Sequence, residues 1–297
     1  MKDSALVYEL FGHAALADDI ARDCGMARGR LRLRRFPDDE SYLRYEDDLA
    51  GRHVVLVCNL ARPDPHIPAL LFAAATAKEL GARKVTLVAP YLPYMRQDYR
   101  FNSGEAVTSR IFAKLVCSHV DALVTMDPHL HRYDRLEAIY TVPVRLTASA
   151  PAVAQWVRAH VEHPFILGPD AESEQWVSAV AGLADAPWRV SRKTRNGDRD
   201  VEVCVPDLSA WRSHTPVILD DIISSGRTMV EALRHVRAAR LPAPVCVGVH
   251  AVFAGDAYQA LLEAGAGKVV TTDTLPHATN DISIAHLLAD ALRHLDT

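Results

Sequence analysis

Short apolar runs alternate along the chain with longer stretches whose apolar residues recur at helical spacing. In the first half the apolar runs are HVVLVCN (53–59), KVTLVAP (84–90) and DALVTMD (121–127). Between them lie two stretches with helical spacing, IPALLFAAATAKELGA and SRIFAKLVCSH. Runs that are apolar throughout predict strands covered on both faces, and strands that alternate with helices predict a parallel sheet with right-handed crossovers.

The second half of the chain repeats this rhythm. Strands are predicted at PFILGPD, TPVILDD, APVCVGVHAVF and KVVTTD, helices at ESEQWVSAVAGLA, TMVEALRHVRAARL and AYQALLEAGA, and a closing helix near Ile282 to Leu295. We therefore predict an α/β protein with two similar tandem domains, each with a central, mostly parallel sheet flanked by helices. The stretch TVPVRLTASAP interrupts the pattern, and the predicted domains are 1–146 and 147–297.

Composition narrows the class of protein. A length of 297 residues suits two domains of middling size, and a hydrophobic fraction of 49% is enough for two cores. The formal net charge of -4 lacks the basic excess that is typical of nucleic-acid binding. The five cysteines are widely spaced and odd in number, with no C-x-x-C pair, which argues against a disulfide framework or a zinc site.

Nothing in the sequence predicts a membrane or secretory segment. Glu9, Asp18 and Asp19 interrupt any apolar core of a signal peptide. The longest apolar run lies near Pro68 to Ala75, whereas a membrane helix needs roughly 20 apolar residues. We expect a soluble cytoplasmic protein with neither a nucleic acid nor a membrane as partner.

The most informative polar cluster follows the strand in VILDDIISSGRTM (217–229). In parallel sheets ligands bind beyond the carboxyl ends of the strands, where Asp220 and Asp221 stand. The loop after them offers hydroxyls, backbone N–H groups and a helix N-terminus, which together form a cradle for an anion. The two carboxylates suit ribose hydroxyls or a phosphate-bound metal. A simple helix cap needs only one such residue.

This segment resembles the phosphoribosyl pyrophosphate (PRPP) loop of type I phosphoribosyltransferases and their relatives. The resemblance implies that the two aspartates hold ribose hydroxyls. It also implies that the following loop binds the 5-phosphate through Ser224, Ser225, Gly226, Arg227 and Thr228. Arg227 stands where many members have a second glycine, and could either crowd the loop or add a phosphate contact.

Further segments, in order, resemble the ribose-phosphate pyrophosphokinase family. YLPYMRQDYRFNSGEAVTSRIFAKL (91–115) contains its Arg-Gln-Asp core, and Arg96, Gln97 and Asp98 are the implied ATP-binding residues. Cationic and amide groups at a strand end are also chemically suited to a triphosphate and a nucleotide edge.

FPDDE (36–40) resembles the family's Phe-Pro-Asp-Gly-Glu turn, with Asp39 in place of the glycine. By resemblance, Phe36, Asp38 and Glu40 help to hold the adenine of ATP on a neighbouring subunit. This implies a homo-oligomer that is dimer-based, tetrameric or hexameric. The residues by themselves indicate only a turn.

Two segments resemble the family's metal-binding segments. TMDPHLHRY (125–133) supplies His129 as the implied ligand for the magnesium on ATP, with His131 in a supporting or surface position. GPDAESEQW (168–176) supplies Asp170 as the second metal-linked residue, and Glu172 stands where the family has glycine. The implied cofactor is Mg²⁺.

SRKTRNGDRDVEV (191–203) resembles the family's catalytic loop, with Lys193 and Arg195 as its cation pair. Two cations on a loop can close over a polyphosphate and stabilise charge that develops on the transferring group. VVTTDTLPHATNDISIAHLLADAL (269–292) resembles the closing segment, whose turn at Thr271 to Thr274 lies near the substrate in family members.

The resemblance covers the chain from about Phe36 to Ala291 and is strongest to the shorter archaeal-type branch. It implies two tandem type I phosphoribosyltransferase-like domains. Residues 1–146 would bind ATP, and 147–297 would carry the ribose 5-phosphate loop, with the last helix (about 282–297) packing back on the first domain. The implied reaction is the Mg-dependent transfer of the β,γ-pyrophosphoryl group of ATP to the anomeric hydroxyl of ribose 5-phosphate, giving PRPP and AMP.

Two other functions remain open at this point. A phosphoribosyltransferase would use the same loop, although it has no role for a second domain of this kind. A non-catalytic regulatory homologue would match the family while lacking turnover, and the departures at Asp39, Glu172 and Arg227 keep this alternative open.

Overall fold

The chain folds into two compact units. The computed structural model describes residues 5–196, 200–204 and 207–295, with the strands at 192–196 and 200–204 described by their backbone. Unit 1 consists of Met1–Ala148 together with Ala285–Thr297, and unit 2 consists of Ser149–Ile284. The fold class predicted from the sequence is confirmed, because each unit is a parallel sheet flanked by helices.

The elements of unit 1 alternate between strands and helices. In chain order they are β1 (Ala5–Leu10), α1 (Ala14–Cys24), β2 (Ala27–Arg28), β3 (Leu31–Arg35), β4 (Ser41–Tyr45), β5 (His53–Cys58), α2 (Ile67–Glu79), β6 (Lys84–Ala89), α3 (Thr108–Cys117), β7 (Ala122–Met126) and β8 (Val144–Thr147). The strands and helices predicted in this half from the apolar runs are all present.

Unit 2 repeats the alternation. Its elements are α4 (Ala150–His160), β9 (Pro164–Gly168), α5 (Glu174–Ala184), β10 (Trp188–Val190), β11 (Arg192–Asn196), β12 (Asp200–Cys204), β13 (Thr215–Ile222), α6 (Arg227–Ala238), β14 (Val245–His250), α7 (Ala257–Glu263), β15 (Lys268–Thr272) and β16 (Asn280–Ile282). The chain then ends with α8 (Ala285–Arg293), which belongs to unit 1.

The two central sheets have the same topology. Unit 1 has the strand order β2-β1-β5-β6-β7-β8, and unit 2 has the order β10-β9-β13-β14-β15-β16. All pairs within both sheets are parallel. The apolar runs lie at the centres of these sheets and are buried, as expected for strands covered by helices on both faces. In each sheet the first strand of the unit lies between two strands that come later in the chain: β1 lies between β2 and β5, and β9 lies between β10 and β13. This arrangement creates a crevice at the carboxyl ends of the strands.

Two antiparallel ribbons stand outside these sheets. β3 pairs with β4 in unit 1, and β11 pairs with β12 in unit 2. Most residues of β3 are exposed. The apolar pattern of the sequence did not predict the β3–β4 ribbon, because a solvated ribbon buries too little surface to require a continuous apolar run.

Helix α8 packs on α1 within unit 1. The amphipathic helix buries Leu288 and Leu292, and the Arg293 guanidinium donates a hydrogen bond to the carbonyl of Asp23 at 2.7 Å. The Arg145 guanidinium also donates to the carbonyl of His294 at 2.9 Å. The end of the chain is thus part of the first core.

Within the described residues, no helix combines the length and apolarity that a membrane crossing needs.

Candidate functional site

The crevice of unit 2 lies where β9 and β13 run side by side. Ile218 pairs with Leu167 at the last step of the shared ladder, and Asp221 and Asp170 each follow three residues later. Both lie close enough to Asp220 for their charges to act on it. Asp220 stands beside them on β13. The structure therefore brings together three of the carboxylates that the sequence predicted as ligands, from two segments about fifty residues apart.

These carboxylates repel one another. Burial raises the pKa of Asp220 well above its ordinary value, and the negative charges of Asp221 and Asp170 raise it further. Local hydrogen bonds hold the cluster in place: the Asp221 N–H donates to Asp220 Oδ1 at 3.0 Å, and the Glu172 N–H donates to Asp170 Oδ1 at 3.1 Å. A cluster of this kind favours a divalent cation or donating hydroxyls, either of which would offset the repulsion.

The loop after β13 leads directly into helix α6. Gly226 has a left-handed backbone (φ 69°, ψ -1°), and its carbonyl accepts the first helical bond from the Val230 N–H at 2.8 Å. In this described segment no side chain caps the helix N-terminus. The first N–H groups of α6 are therefore suited to an anion, and Ser224, Ser225 and Thr228 carry hydroxyls in the same segment.

Gly168, at the end of β9, sets the position of the Asp170 turn. A Cβ added there would meet Ser173 Oγ at 2.4 Å and the Cγ2 atoms of Val190 and Val177 at 3.0 and 3.1 Å. Ser173 Oγ donates to the Asp170 carbonyl at 2.7 Å, so a Cβ would displace the hydroxyl that fixes this turn.

We expect Gly168→Ala to lower the free energy of unfolding by about 1–3 kcal/mol, because the added methyl group overfills the site. Gly182→Ala is the matched control. Gly182 lies within α5 with nothing near its added Cβ, so this change should raise stability by roughly 0.5–1 kcal/mol. Urea unfolding of both variants tests the prediction, and equal effects of the two substitutions would contradict it.

The corresponding crevice of unit 1 is bridged by contacts among its own residues. The Glu9 carboxylate accepts hydrogen bonds from the N–H groups of Gly12 and His13 at the start of α1. Phe11 stacks on His66, with ring centroids 4.2 Å apart, and its carbonyl accepts from Asn59 Nδ2 at 3.1 Å. An internal carboxylate thus occupies the backbone N–H groups that an external anion would otherwise meet at this helix start.

The predicted ATP-binding residues of unit 1 follow β6 and lie close to the segment after β7. Arg96 is exposed and Gln97 is half-buried. Asp98 is buried, and its Oδ1 lies 3.6 Å from the Arg132 guanidinium. The Tyr133 hydroxyl donates to the Asp98 carbonyl at 3.3 Å, which joins the two segments. Because the Asp98 carboxylate contacts Arg132, it orients the guanidinium of that residue.

Arg132 and two aromatic residues belong to this cluster although the sequence analysis did not single them out. The Arg132 guanidinium lies 4.9 Å from the ring centroid of Tyr99 and 5.9 Å from that of Phe101. Both rings are mostly exposed, at 54% and 64%. Exposed aromatic faces beside a cation offer a surface for a planar base. The alternation of aromatic and basic residues in RQDYRF was the available signal.

His129 lies three residues beyond β7, after Asp127, which has a positive φ of 34°. Its ring contacts that of His131 edge-on, with centroids 3.9 Å apart. Among the described residues, no group of three or more His, Cys, Asp or Glu side chains is arranged to hold a metal by itself. Any metal bound here would therefore take part of its coordination shell from substrate or water.

The turn at 36–40 closes the β3–β4 ribbon. The Phe36 N–H donates to the Glu40 carbonyl at 2.8 Å, and the Phe36 ring is 40% exposed. The Arg34 guanidinium covers both Phe36 and Tyr42, 4.6 and 4.1 Å from their ring centroids. The ribbon thus presents an aromatic and cationic surface to solvent, with the carboxylates of Asp38 and Glu40 also exposed.

The three departures from the family pattern have different structural consequences. Asp39 has a φ of 67°, the left-handed conformation that glycine adopts most readily and that aspartate tolerates. Glu172 is not among the residues with positive φ, so its backbone needs no glycine. Arg227 is the first residue of α6 and is exposed, so its side chain does not crowd the loop.

Lys193 and Arg195 lie in β11, which pairs with β12 as an antiparallel ribbon. Lys193 is opposite Val203, and Arg195 is opposite Val201. Their side chains lie outside the described part of the structure, so their predicted catalytic role stays a prediction.

Two models of known protein families match the two halves of the chain. Residues 6–119 match the family model described as the N-terminal domain of ribose phosphate pyrophosphokinase, and residues 137–285 match the phosphoribosyl transferase domain.

Curated archaeal proteins named ribose-phosphate pyrophosphokinase are similar over most of the chain. The protein from Sulfurisphaera tokodaii is 32% identical over 254 residues, covering 84% of this chain and 86% of the relative. That from Methanothermobacter thermautotrophicus is 32% identical over 264 residues (89% and 91%), and that from Halobacterium salinarum 31% over 284 residues (94% and 97%).

The fold is similar to a solved structure as well. The crystal structure of phosphoribosylpyrophosphate synthetase from Mycobacterium smegmatis matches with a TM-score of 0.86 and covers 98% of both chains. At 24% sequence identity this likeness concerns the fold.

Proposed function

Since the chain belongs to the ribose-phosphate pyrophosphokinase family, we propose how its own residues perform that family's reaction. The enzyme transfers the β,γ-pyrophosphoryl group of ATP to ribose 5-phosphate, giving PRPP and AMP. One observation carries the residue assignment in unit 2: a cluster of carboxylates stands beside an uncapped helix N-terminus in an open crevice.

Ribose 5-phosphate would bind in this crevice of unit 2. Asp220 and Asp221 accept hydrogen bonds from the sugar hydroxyls, which replaces carboxylate repulsion with favourable contacts. The 5-phosphate takes its hydrogen bonds from the loop at 224–228 and from the first N–H groups of α6. Arg227, exposed at the helix start, adds a positive charge on the solvent side.

ATP would bind at unit 1. Arg96 contacts the triphosphate, and Gln97 contacts the edge of the nucleotide. Asp98 supports them by orienting Arg132 beside the exposed Tyr99 and Phe101 rings. The proposed site lies at the ends of β6 and β7, because the helix N–H groups beside β1 are already bonded to Glu9.

Mg²⁺ is the proposed cofactor. Carboxylate oxygens are ligands that Mg²⁺ prefers, and Asp170 belongs to a cluster whose repulsion a cation would relieve. Asp170 is the proposed ligand in unit 2, and His129 is separately the proposed ligand in unit 1 for the ion on ATP. A bound ion would neutralise phosphate charge.

The chemistry is a direct transfer. The anomeric hydroxyl oxygen of ribose 5-phosphate forms a bond to the β-phosphorus of ATP, the bond from this phosphorus to the α,β-bridging oxygen breaks, and AMP leaves. The hydroxyl proton passes to solvent. The protein contributes positioning and charge stabilisation, and Lys193 and Arg195 would supply positive charge to the transferring group.

The exposed β3–β4 ribbon supports a homo-oligomer. Phe36, Asp38 and Glu40 stand at its tip, with Arg34 covering the Phe36 ring. We assign this surface to the adenine of ATP on a neighbouring subunit, which makes the active site composite.

The described thiols of Cys24, Cys58, Cys117 and Cys246 are free, which suits a reducing cytoplasmic environment.

The test is an omission assay. Purified protein is incubated with ATP, MgCl₂ and ribose 5-phosphate, and AMP and PRPP are quantified while each component is left out in turn. We expect equimolar AMP and PRPP only when all three are present, and loss of turnover on addition of excess EDTA, with recovery when MgCl₂ is restored.

Two results would contradict the proposal. A folded protein without turnover, but with measurable ATP binding, would favour the regulatory homologue. PRPP consumption with release of pyrophosphate in the presence of a free base would favour a phosphoribosyltransferase.

A further inference from the structure

The phosphate loop of unit 2 (residues 224–228) and the residue before it are hydrogen-bonded through their backbone to the segment that follows β14. The Ile223 N–H donates to the His250 carbonyl at 3.1 Å, and the Phe253 N–H donates back to the Ile223 carbonyl at 2.8 Å. The Ala254 N–H donates to the Ser224 carbonyl at 3.0 Å. The backbone of the loop at 224–226 is thus positioned by the segment 250–254 rather than by a helix cap.

This supporting segment is irregular and needs an anchor of its own. The Val252 N–H donates to the His250 carbonyl at 2.9 Å in a tight turn, and Phe253 has a positive φ of 29°. A bulky residue in that region is strained, and such strain persists only where surrounding contacts fix the backbone. The Phe253 ring packs against His277, with centroids 4.5 Å apart.

The anchor is a buried network of hydroxyls around His250. The His250 ring is 1% exposed, and its Nδ1 lies 3.0 Å from Thr274 Oγ1. The hydroxyls of Thr272 and Thr274 both reach the Val249 carbonyl, at 2.7 and 2.9 Å. The turn after β15 thereby fixes the end of β14 and, through it, the phosphate loop.

The hydroxyls of Thr272 and Thr274 are also joined to each other. Thr272 Oγ1 lies 3.1 Å from Thr274 Oγ1, and the Thr274 N–H donates to Thr272 Oγ1 at 3.2 Å. Each hydroxyl has one hydrogen and more than one acceptor within reach, so the hydrogen shared by His250 Nδ1 and Thr274 Oγ1 can belong to either partner.

We propose that His250 and Thr274 are positioning residues for ribose 5-phosphate: their buried hydrogen bond sets the place of the 5-phosphate loop without touching the substrate. This inference rests on the proposed binding of ribose 5-phosphate to the 224–228 loop. It predicts a selective loss of affinity for the sugar phosphate, because ATP is bound by the other unit.

The test compares variants that separate hydrogen bonding from packing. His250→Ala and His250→Phe, which removes the hydrogen-bonding nitrogen and keeps a ring, should raise the KM for ribose 5-phosphate about tenfold, the effect of losing roughly one buried hydrogen bond. The KM for ATP and kcat should stay within about threefold. His250→Asn, whose amide can donate or accept near the place of Nδ1, should restore most of the affinity.

Two controls keep the result interpretable. His53→Ala removes a similar His–Thr pair in unit 1, where His53 Nε2 lies 2.8 Å from Thr86 Oγ1, and should leave the KM for ribose 5-phosphate unchanged. If His250→Ala fails to fold, Thr274→Val removes the hydroxyl that bonds His250 with little change in shape and should give the same rise in KM.

The outcomes separate this inference from the proposed function. Turnover by the wild type and His53→Ala shows that the enzyme and the assay work. A wild-type KM for ribose 5-phosphate in His250→Phe, or an equal rise in both KM values, would overturn the positioning role. A wild type without turnover would instead count against the proposed function.

Discussion

Replacing Lys193 by alanine is expected to lower kcat about 10³-fold and to leave the KM for both substrates within about threefold. Cations that meet charge on a transferring phosphoryl group contribute roughly 10³- to 10⁵-fold in related chemistry, because their contact strengthens in the transition state. Lys193 and Arg195 stand two residues apart in β11, and positions two apart share a face of a strand. Steady-state kinetics with each substrate varied in turn measures the effect.

The matched control for this prediction is Arg192→Ala. Arg192 is a cation in the same strand but at the alternate position, so its loss changes the charge of the ribbon equally without removing the proposed contact. We expect kcat to change by less than about threefold. A raised KM with kcat intact in Lys193→Ala would assign the lysine to ground-state binding instead.

The second large effect concerns the carboxylate cluster, where activity and stability are expected to change in opposite directions. Asp221→Asn should lower kcat/KM for ribose 5-phosphate roughly 10²-fold, because hydrogen bonds to an ionised acceptor contribute about 1.5–3 kcal/mol. The same change should stabilise the substrate-free protein by about 1 kcal/mol, or about 2–4 °C in Tm.

The stabilisation follows from the electrostatics of the free site. Burial and the charge of Asp221 both hold the pKa of Asp220 above its ordinary value, so ionising Asp220 costs more free energy in the folded protein than in the unfolded chain. Removing one charge relieves that repulsion. Functional sites often retain such unfavourable groups because the ligand, once bound, offsets their cost.

Thermal unfolding without ligands and steady-state kinetics test the two halves of this prediction. Asp185→Asn is the control, because Asp185 is an exposed left-handed residue after α5 and asparagine tolerates that conformation equally well. It removes the same charge from unit 2 and should alter neither quantity. Lower stability of Asp221→Asn would mean that the aspartate makes a structural contact that outweighs the repulsion.

The sequence by itself determined the alternation of strands and helices and the chemistry at several strand ends. The runs VIL before the two aspartates and KVTLVAP are largely apolar because their strands are covered on both faces. The burial of these strands could therefore be predicted from residue type alone. The DDIISSGRT segment is equally local: a strand end, a left-handed glycine and a helix start lie within ten residues, and their anion-binding geometry needs no distant partner.

The apolar pattern did not predict every element. The β3–β4 ribbon, β10 and β16 were not predicted, because exposed or three-residue strands carry little apolar pattern. β1, α1, β8 and α4 were not predicted either, although β1 is largely buried and both helices span eleven residues. β11 and β12 form a ribbon where a loop was expected. The amphipathic pattern of α8 predicted a helix, but periodicity alone does not specify which core an apolar face will cover.

Only the tertiary structure decided which distant groups meet. It brought Asp170 and Asp221 close enough to act on Asp220, bonded Glu9 to the start of α1 beside the Phe11–His66 stack, and hydrogen-bonded the His250 carbonyl to Ile223 before the phosphate loop. These contacts depend on strand order and register, which arise from the packing of the whole domain. The spacing of residues along the chain does not specify strand order or register. Candidate site residues could therefore be identified from the sequence, whereas the charge repulsion among the carboxylates and the hydrogen bonds that support the loop could not.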